Sequence, residues 1–441
     1  MKKNERGLPR QSFTSLSAAA VVVGIVVGIG IFRLPSMVAQ NASSELHYLG
    51  FWLAGGLISI IGALCYAELA SNKPDAGGEY HFLTEAYGPG IGFLFSWGRM
   101  SVIQTGAIAL TAFILGDYAS TIYYLGPYSS SIYAAITIVT LTGLNIWGTD
   151  QSKNTQSFLT ILIIIVLVVA GIAGLLHEPP SPEITSSTGN ISSSAGAAMI
   201  FVLLTYGGWN EGVYLSAELK NVRKNITYVL IMALTCITLL YLLINAAYVH
   251  VLGMETLRNS DIIGVELSNH IVGSGGAVVM ALMVIVSALS TINATIITGA
   301  RTNYALGRDF TLLRFLGRWN QTANAPINAL LFQGMIALGL VVLGSFTQQA
   351  VSTMVDYTAP VFWFFILLTT GSLFIFRATS RGPGEESFHV PFYPVTPLLF
   401  MLICLYLLYS SVVFTGAGAL IGIGILLLGL PLYLAARRKQ S

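Results

Sequence analysis

Two pairs of glycines interrupt long apolar segments of this chain, and the chemistry they offer is that of bare backbone. Gly28 and Gly30 break the run Gly24 to Leu34, GIVVGIGIFRL, and Gly207 and Gly208 break Ala195 to Leu219, AGAAMIFVLLTYGGWNEGVYLSAEL. Glycine inside a helix costs roughly 1 kcal/mol against alanine. In hydrocarbon, a freed backbone group costs several kcal/mol unless protein, water or a ligand satisfies it. A helix unwound across Val27 to Gly30 would restart near Ile31, with unpaired N–H groups and the positive end of its dipole facing the gap. Such a gap is a seat for a carboxylate. Glycine also serves close packing of membrane helices, so the first break alone leaves both roles open. The second break, at the matching place in the other half of the chain, points to a binding site near the bilayer midplane.

Ionisable residues inside apolar segments are expensive there and are functional candidates by default. Arg33 and Glu211 each lie a few residues past a glycine break. Each is expected to line a path on its own side of the membrane or to satisfy freed backbone, and the two need not pair, because their segments run in opposite directions. Glu211 facing the site would admit a cationic ligand, and Arg33 an anionic one. Asp356, near the start of the tenth apolar segment, reads as a gate or an interfacial residue. Glu68 and Arg99 are expected to snorkel toward the interface. Cys65, Cys236 and Cys404 fall inside apolar segments and read as buried free thiols, without disulfide or metal spacing. No segment carries a His and carboxylate constellation, a nucleophile elbow or paired metal ligands. The glycines of GIGIF also lack the strand and the distant acidic partner of a dinucleotide site. An enzyme is therefore not expected, and neither a metal nor a cofactor.

Membrane helices must position these residues. Of 441 residues, 54% are hydrophobic and 9% charged, a balance foreign to soluble domains of this length. Twelve apolar runs, from Ser15 to Ala39 at one end to Ala417 to Ala435 at the other, are each close to the roughly 20 residues that span a bilayer. With the N-terminus in the cytoplasm of a cell whose inner membrane holds the protein, Lys and Arg crowd the inner connections and Arg258 alone lies outside, which the positive-inside rule favours. Both termini are then cytoplasmic. The basic residues are topology signals, and no nucleic-acid partner is expected beside the lipid bilayer. The first run is long and lacks a convincing cleavage site, so it is expected to be retained.

Five is odd, so runs one to five and six to ten are expected to form inverted repeats. The expected organisation is a cytoplasmic tail over 1–14, a first five-helix repeat over 15–177 and a second, inverted one over 178–376. A cytoplasmic loop over 377–394, two accessory helices over 395–436 and a tail over 437–441 follow. Between the second and third runs, Pro74 and the Gly77–Gly78 pair precede a short amphipathic helix at Glu79 to Tyr87. This helix is either a gate or a solvated connection.

Five stretches now fall into a known order. GIVVGIGIF followed by Pro35, then PDAGGEYHFLTEAYG, YGGWNEGVYLSAELKN, STINATIITGARTNYALGRD and VPFYPVTPLL together resemble the amino acid, polyamine and organocation (APC) transporters, and within them the L-type amino-acid transporter branch of prokaryotic type. The likeness runs from the first segment to the last. It implies an all-α polytopic membrane protein of twelve helices, a LeuT-like five-plus-five inverted repeat with two C-terminal helices, working by alternating access. In that family a G-S-G triplet holds the substrate carboxylate on backbone amides, and it maps onto Gly28, Ile29 and Gly30, beside Val27. The second break supplies carbonyls and an aromatic lid, at Leu204, Thr205, Tyr206 and Gly207, with Trp209 and Asn210 just beyond. A zwitterionic amino acid fits these two poles.

Three positions depart from the family pattern. Ile29 replaces the serine, removing a hydroxyl and keeping the amides. Leu204 replaces an aromatic gate, which loosens the lid or widens the pocket. With NTQSFLTILIII aligned on Gln156, Ile163 replaces a lysine that stands in for a bound sodium in many members. Proton coupling through that position is thereby excluded. Either hydrocarbon fills it and no ion is used, or Ser287, Ser290 and Thr291 coordinate a sodium. Hydroxyls in membrane helices more often bond their own backbone, which favours the first. Heteromeric animal members join a glycoprotein through a cysteine between the third and fourth helices. Asp117 to Ser130 contains none, so no covalent subunit is expected. The expectation is a secondary transporter of neutral or small L-amino acids by exchange or facilitation. A sodium-coupled or cationic amino-acid symporter is the alternative, and a membrane amino-acid sensor the alternative of another class.

Overall fold

A computed structural model describes residues 14–75, 77–147, 152–178, 194–320, 323, 325–347, 350–379, 387–414 and 416–438. Residues 1–13, 148–151, 179–193, 380–386 and 439–441 are the longer stretches outside that description. The helices are α1 (Ser15–Val26), α2 (Leu34–Gln40), α3 (Glu45–Asn72), α4 (Glu79–Tyr87), α5 (Pro89–Gly98) and α6 (Gln104–Ile122). Next come α7 (Ser129–Trp147), α8 (Ser152–Leu176), α9 (Ala195–Thr205), α10 (Val222–Asn259), α11 (Ile263–Val272) and α12 (Ser274–Asp309). The chain ends with α13 (Ile327–Ser345), α14 (Ala350–Ala378), α15 (Val395–Phe414), α16 (Gly416–Leu427) and α17 (Gly429–Arg438). Among the described residues the only β pairing is the isolated bridge of Asn320 with Ala325.

Among the described residues, nine helical stretches are long and apolar enough to cross a bilayer, among them α3, α10 and the joined α5–α6. A tenth is added if the pair bent by 58° around the first break counts as one. The described part of α8 and the eleven residues of α9 are apolar but shorter. The protein is a multi-pass membrane protein.

Small residues bring the helices together. A Cβ on Gly55 of α3 would lie 2.3 Å from Val202 of α9, and one on Gly56 would lie 2.4 Å from Thr238 of α10. On α6, a Cβ at Gly116 would lie 2.2 Å from the carbonyl oxygen of Ser130 on α7. In lipid, where tails are as apolar as leucine, such backbone approach is a main source of helix association. Helix ends find partners nearby. Ser44 caps α3 by accepting from the His47 N–H at 3.2 Å. Arg258 donates to the Ala39 and Ala42 carbonyls at 3.0 and 2.8 Å, closing the end of α2.

Two expectations are corrected here. Glu68 and Arg99 do not snorkel, since both are buried at 2% exposure inside ion pairs. Arg377 donates to Glu68 at 2.7 and 2.6 Å, and the Val390 N–H adds a third contact at 2.6 Å. An opposite charge supplied within the fold satisfies each better than a stretch toward distant water. Cys65 and Cys404 are buried, but Cys236 is exposed on an outward face of α10.

Candidate functional site

The first break begins where α1 stops at Val26. Gly28 turns back so that its N–H donates to the Val26 carbonyl at 2.7 Å, and a 3-10 turn then runs over Ile29–Phe32 before α2 starts at Leu34. The restart is three residues later than Ile31 because Pro35 occupies the first turn of α2, a position it favours. Of the glycine triplet, the Gly28 amide is therefore already engaged. The opening amides of the turn, those of Ile29 and Gly30, have no acceptor within it.

At the second break α9 ends at Thr205, and Gly208, at φ +105°, reverses the chain into a 3-10 segment over Trp209–Glu218. A left-handed residue there suits glycine, which lacks the Cβ that would clash. At both breaks a tyrosine meets a freed carbonyl. The Tyr241 hydroxyl of α10 lies 2.9 Å from the Val26 oxygen and 3.1 Å from the Thr205 oxygen, joining the two breaks. Tyr118 of α6 donates to the Phe32 oxygen at 2.8 Å. Satisfaction from neighbouring helices is what allows broken helices to persist inside a membrane protein.

Between the breaks lies a cavity of about 180 Å³. Gly28, Ile29 and Gly30 line it from one side, and Leu204, Thr205 and Gly207 from the other. Asn210 and Glu211 form one end. Trp363 and Phe362 of α14 and Thr291 and Thr298 of α12 complete the wall. Gln104 adds an amide, which donates to the Thr295 carbonyl and the Thr298 hydroxyl, both at 2.9 Å.

Other expected residues lie elsewhere. Val27 is buried outside the lining, and Tyr206 turns away to donate to the Trp52 carbonyl at 3.0 Å. Trp209 packs on the Tyr66 ring at 5.0 Å and on Phe400 at 6.3 Å. Asp356 sits against Gly418 of α16. Arg33 pairs with Asp261, and its guanidinium also donates to the Ser260 carbonyl at 3.3 Å. It leaves the freed carbonyls to the tyrosines.

Glu211 does face the cavity, but its two oxygens each accept from the Arg99 guanidinium at 2.8 Å. Arg99 arises from a π-helical turn over Arg99–Ile103 between α5 and α6, and its guanidinium stacks 4.8 Å over the Tyr214 ring. Ile163 is buried on α8, near Thr160, which packs against Gly24. Among the described residues, the hydroxyls of Ser287, Ser290 and Thr291 are buried without a hydrogen-bond partner. The expectation that they bond their own backbone is not met, although Thr295 does so, donating to the Thr291 carbonyl at 2.8 Å. Tyr241, Tyr118 and Gln104 escaped the sequence reading. A tyrosine or glutamine in an apolar run carries no spacing signal of its own.

Comparison with known proteins agrees with this architecture. Residues 13–430 match the amino acid permease family. The chain is 28% identical over 407 residues to the b(0,+)-type amino acid transporter 1 of Mus musculus, covering 90% of this chain and 82% of that one. It is 25% identical over 445 residues to the serine/threonine exchanger SteT of Bacillus subtilis (strain 168), covering both in full. With the large neutral amino acids transporter small subunit 2 of Homo sapiens it shares 27% over 433 residues, 95% of this chain and 79% of that one. The match spans nearly the whole chain, including both breaks and the helices that clamp them, and the protein is an amino acid transporter belonging to the APC amino acid permease family.

Proposed function

We propose that the protein carries neutral or small L-amino acids across the cell membrane by alternating access, by exchange or by facilitated movement. The carrying observation is the cavity that both helix breaks line, with amide donors on one side and the end of α9 on the other. A carboxylate at Ile29 and Gly30 meets N–H groups and a positive dipole end, and an ammonium meets the negative end of α9. Its volume, about 180 Å³, is below the roughly 300–1,000 Å³ of sites for drug-sized ligands and suits a small zwitterion. Glu211 is neutralised by Arg99, and Arg33 is held by Asp261, so neither supplies a free charge that would select a cationic or anionic substrate. A relative named as a serine/threonine exchanger supports both the substrate class and the exchange mode.

In this reading α8 and the α9–209–218 pair count as spans, which brings the total to twelve. Residues 15–177 and 178–376 form inverted repeats, both termini lie in the cytoplasm, and no glycoprotein subunit is attached. The test is uptake of a labelled amino-acid panel into liposomes holding the purified protein, with and without unlabelled amino acid inside. Strong stimulation from inside is the expected result, whereas uptake indifferent to the internal amino acid rejects exchange.

A second reading, sodium-coupled symport, rests on the unpartnered hydroxyls of Ser287, Ser290 and Thr291 beside the first break. Oxygen ligands suit such a hard cation better than nitrogen or sulfur. It requires saturable sodium dependence that disappears in Ser290→Ala.

A further inference from the structure

Behind the cavity end, Glu79, Arg99 and Glu211 form a buried cluster in which two carboxylates face one guanidinium. Glu79 stands 3.8 Å from Arg99, which holds Glu211 at 2.8 Å, and the Glu79 and Arg99 side chains are 2% and 3% exposed. The other groups facing Glu79 are neutral. Tyr66 of α3 donates to it at 2.7 Å, Tyr214 at 3.1 Å and the Asn210 amide at 3.3 Å. Gly78, at φ +48°, lets the chain turn tightly against the Tyr214 ring and present Glu79 inward. Among the described residues no second cation comes near. Lys73 and His81 approach Glu85 instead, and Arg377 of α14 is taken by Glu68. The cluster thus holds one negative charge beyond what its cation balances, and Glu79 itself is buried from water. Proteins relieve such a charge by protonation. Burial pushes the Glu79 carboxyl above its ordinary range, with Arg99 pulling the other way.

We propose that the Glu79–Arg99–Glu211 cluster is a proton-binding site, loaded on the Glu79 carboxyl, and that net amino-acid movement carries this proton across the membrane. The proposal rests on the transport function above and concerns what accompanies the substrate. A proton from cavity water passes by way of Glu211, which lines the cavity, to a Glu79 oxygen. One O–H bond forms there, and the hydroxyl of Tyr214 or the amide of Asn210 rotates to accept from it. Neutral Glu79 then releases its share of Arg99. That contact ties α4, the α5–α6 junction and the 209–218 segment together at one end of the cavity, so protonation loosens the end through which substrate must leave.

The experiment uses the purified protein in sodium-free liposomes with the membrane potential clamped, acid outside by one pH unit, and serine as the substrate. One proton per substrate supports up to about tenfold accumulation, and a trapped pH dye reports acidification evoked by serine. Serine-for-serine exchange, which carries the proton both ways, is unaffected by the gradient. Glu79→Gln stands in for the protonated carboxyl, with one acceptor and one donor end, and cannot titrate, so exchange persists while accumulation and dye signal vanish. Tyr66→Phe removes a donor that favours the carboxylate, so the pH midpoint of accumulation moves upward. The proposal is overturned if wild-type protein exchanges serine with neither accumulation nor dye signal, if Glu79→Gln keeps both, or if Tyr66→Phe leaves the midpoint in place. Absence of all serine movement in wild type instead counts against the proposed substrate and function.

Discussion

Gly28 and Gly30 sit two residues apart, yet a side chain meets different surroundings at each. A Cβ on Gly28 would press on the Thr291 hydroxyl at 2.9 Å, whereas one on Gly30 would make ordinary contact with Thr205 and Leu34 at 3.4 and 3.5 Å. Gly30→Ala is accordingly expected to fold and transport. Gly30→Val should fold too, but its branches cover the approach to the free amides. A hydrogen bond to a charged group is worth about 1.5–3 kcal/mol, so substrate affinity should fall at least about tenfold. Competition binding checks this, and wild-type affinity in Gly30→Val would remove the carboxylate seat. Tyr241→Phe strips the hydroxyl shared by the Val26 and Thr205 carbonyls. The Val26 carbonyl keeps the Gly28 N–H, so the Thr205 carbonyl is the acceptor left unmet, at a cost of about 1–3 kcal/mol, read as a lower Tm in detergent. The glycines were legible because glycine in an apolar run is itself a signal. Their partners were not. Glu211 and Arg99 are 112 residues apart in sequence, and their pairing is written in neither segment alone.

The two breaks show what periodicity and composition reveal about an element and where they stop. Both interruptions were expected from their glycines, and Pro35 explains why α2 restarts at Leu34. The 3-10 course of Trp209–Glu218 had no such marker, since that segment is set by its packing on α1, α3 and α10. Helix-to-helix approach is decided at the same scale. Gly116 meets the Ser130 backbone, which unlike a side chain has no rotamer to move away. Gly116→Ala should destabilise the protein by about 1–3 kcal/mol, as overpacking does. An unchanged Tm in that variant would mean that α6 and α7 separate without cost.

At the scale of the molecule, Glu68 and Arg377 fasten α3 to the end of α14, with Val390 and the Tyr393 ring closing round the pair. Glu68→Gln leaves the Arg377 guanidinium without its counter-charge, and a loss of about 1–3 kcal/mol is expected. Thermal unfolding in detergent measures it. The basic residues make a separate prediction about the whole chain. A reporter enzyme active only in the cytoplasm should work when fused to either end. Activity at one end alone would break the count of twelve spans.

The sequence by itself determined the class of protein and its two interruptions, because hydrophobic length, glycine in hydrocarbon and the placing of Lys and Arg are local properties. The tertiary structure alone decided which charges meet. Arg33 goes to Asp261 and Glu211 to Arg99, while Tyr206 turns out of the cavity and Tyr241 clamps both breaks. The physical reason is that a buried charge or carbonyl is satisfied by whatever donor the helix packing brings within about 3 Å, and no window along one helix contains that neighbour.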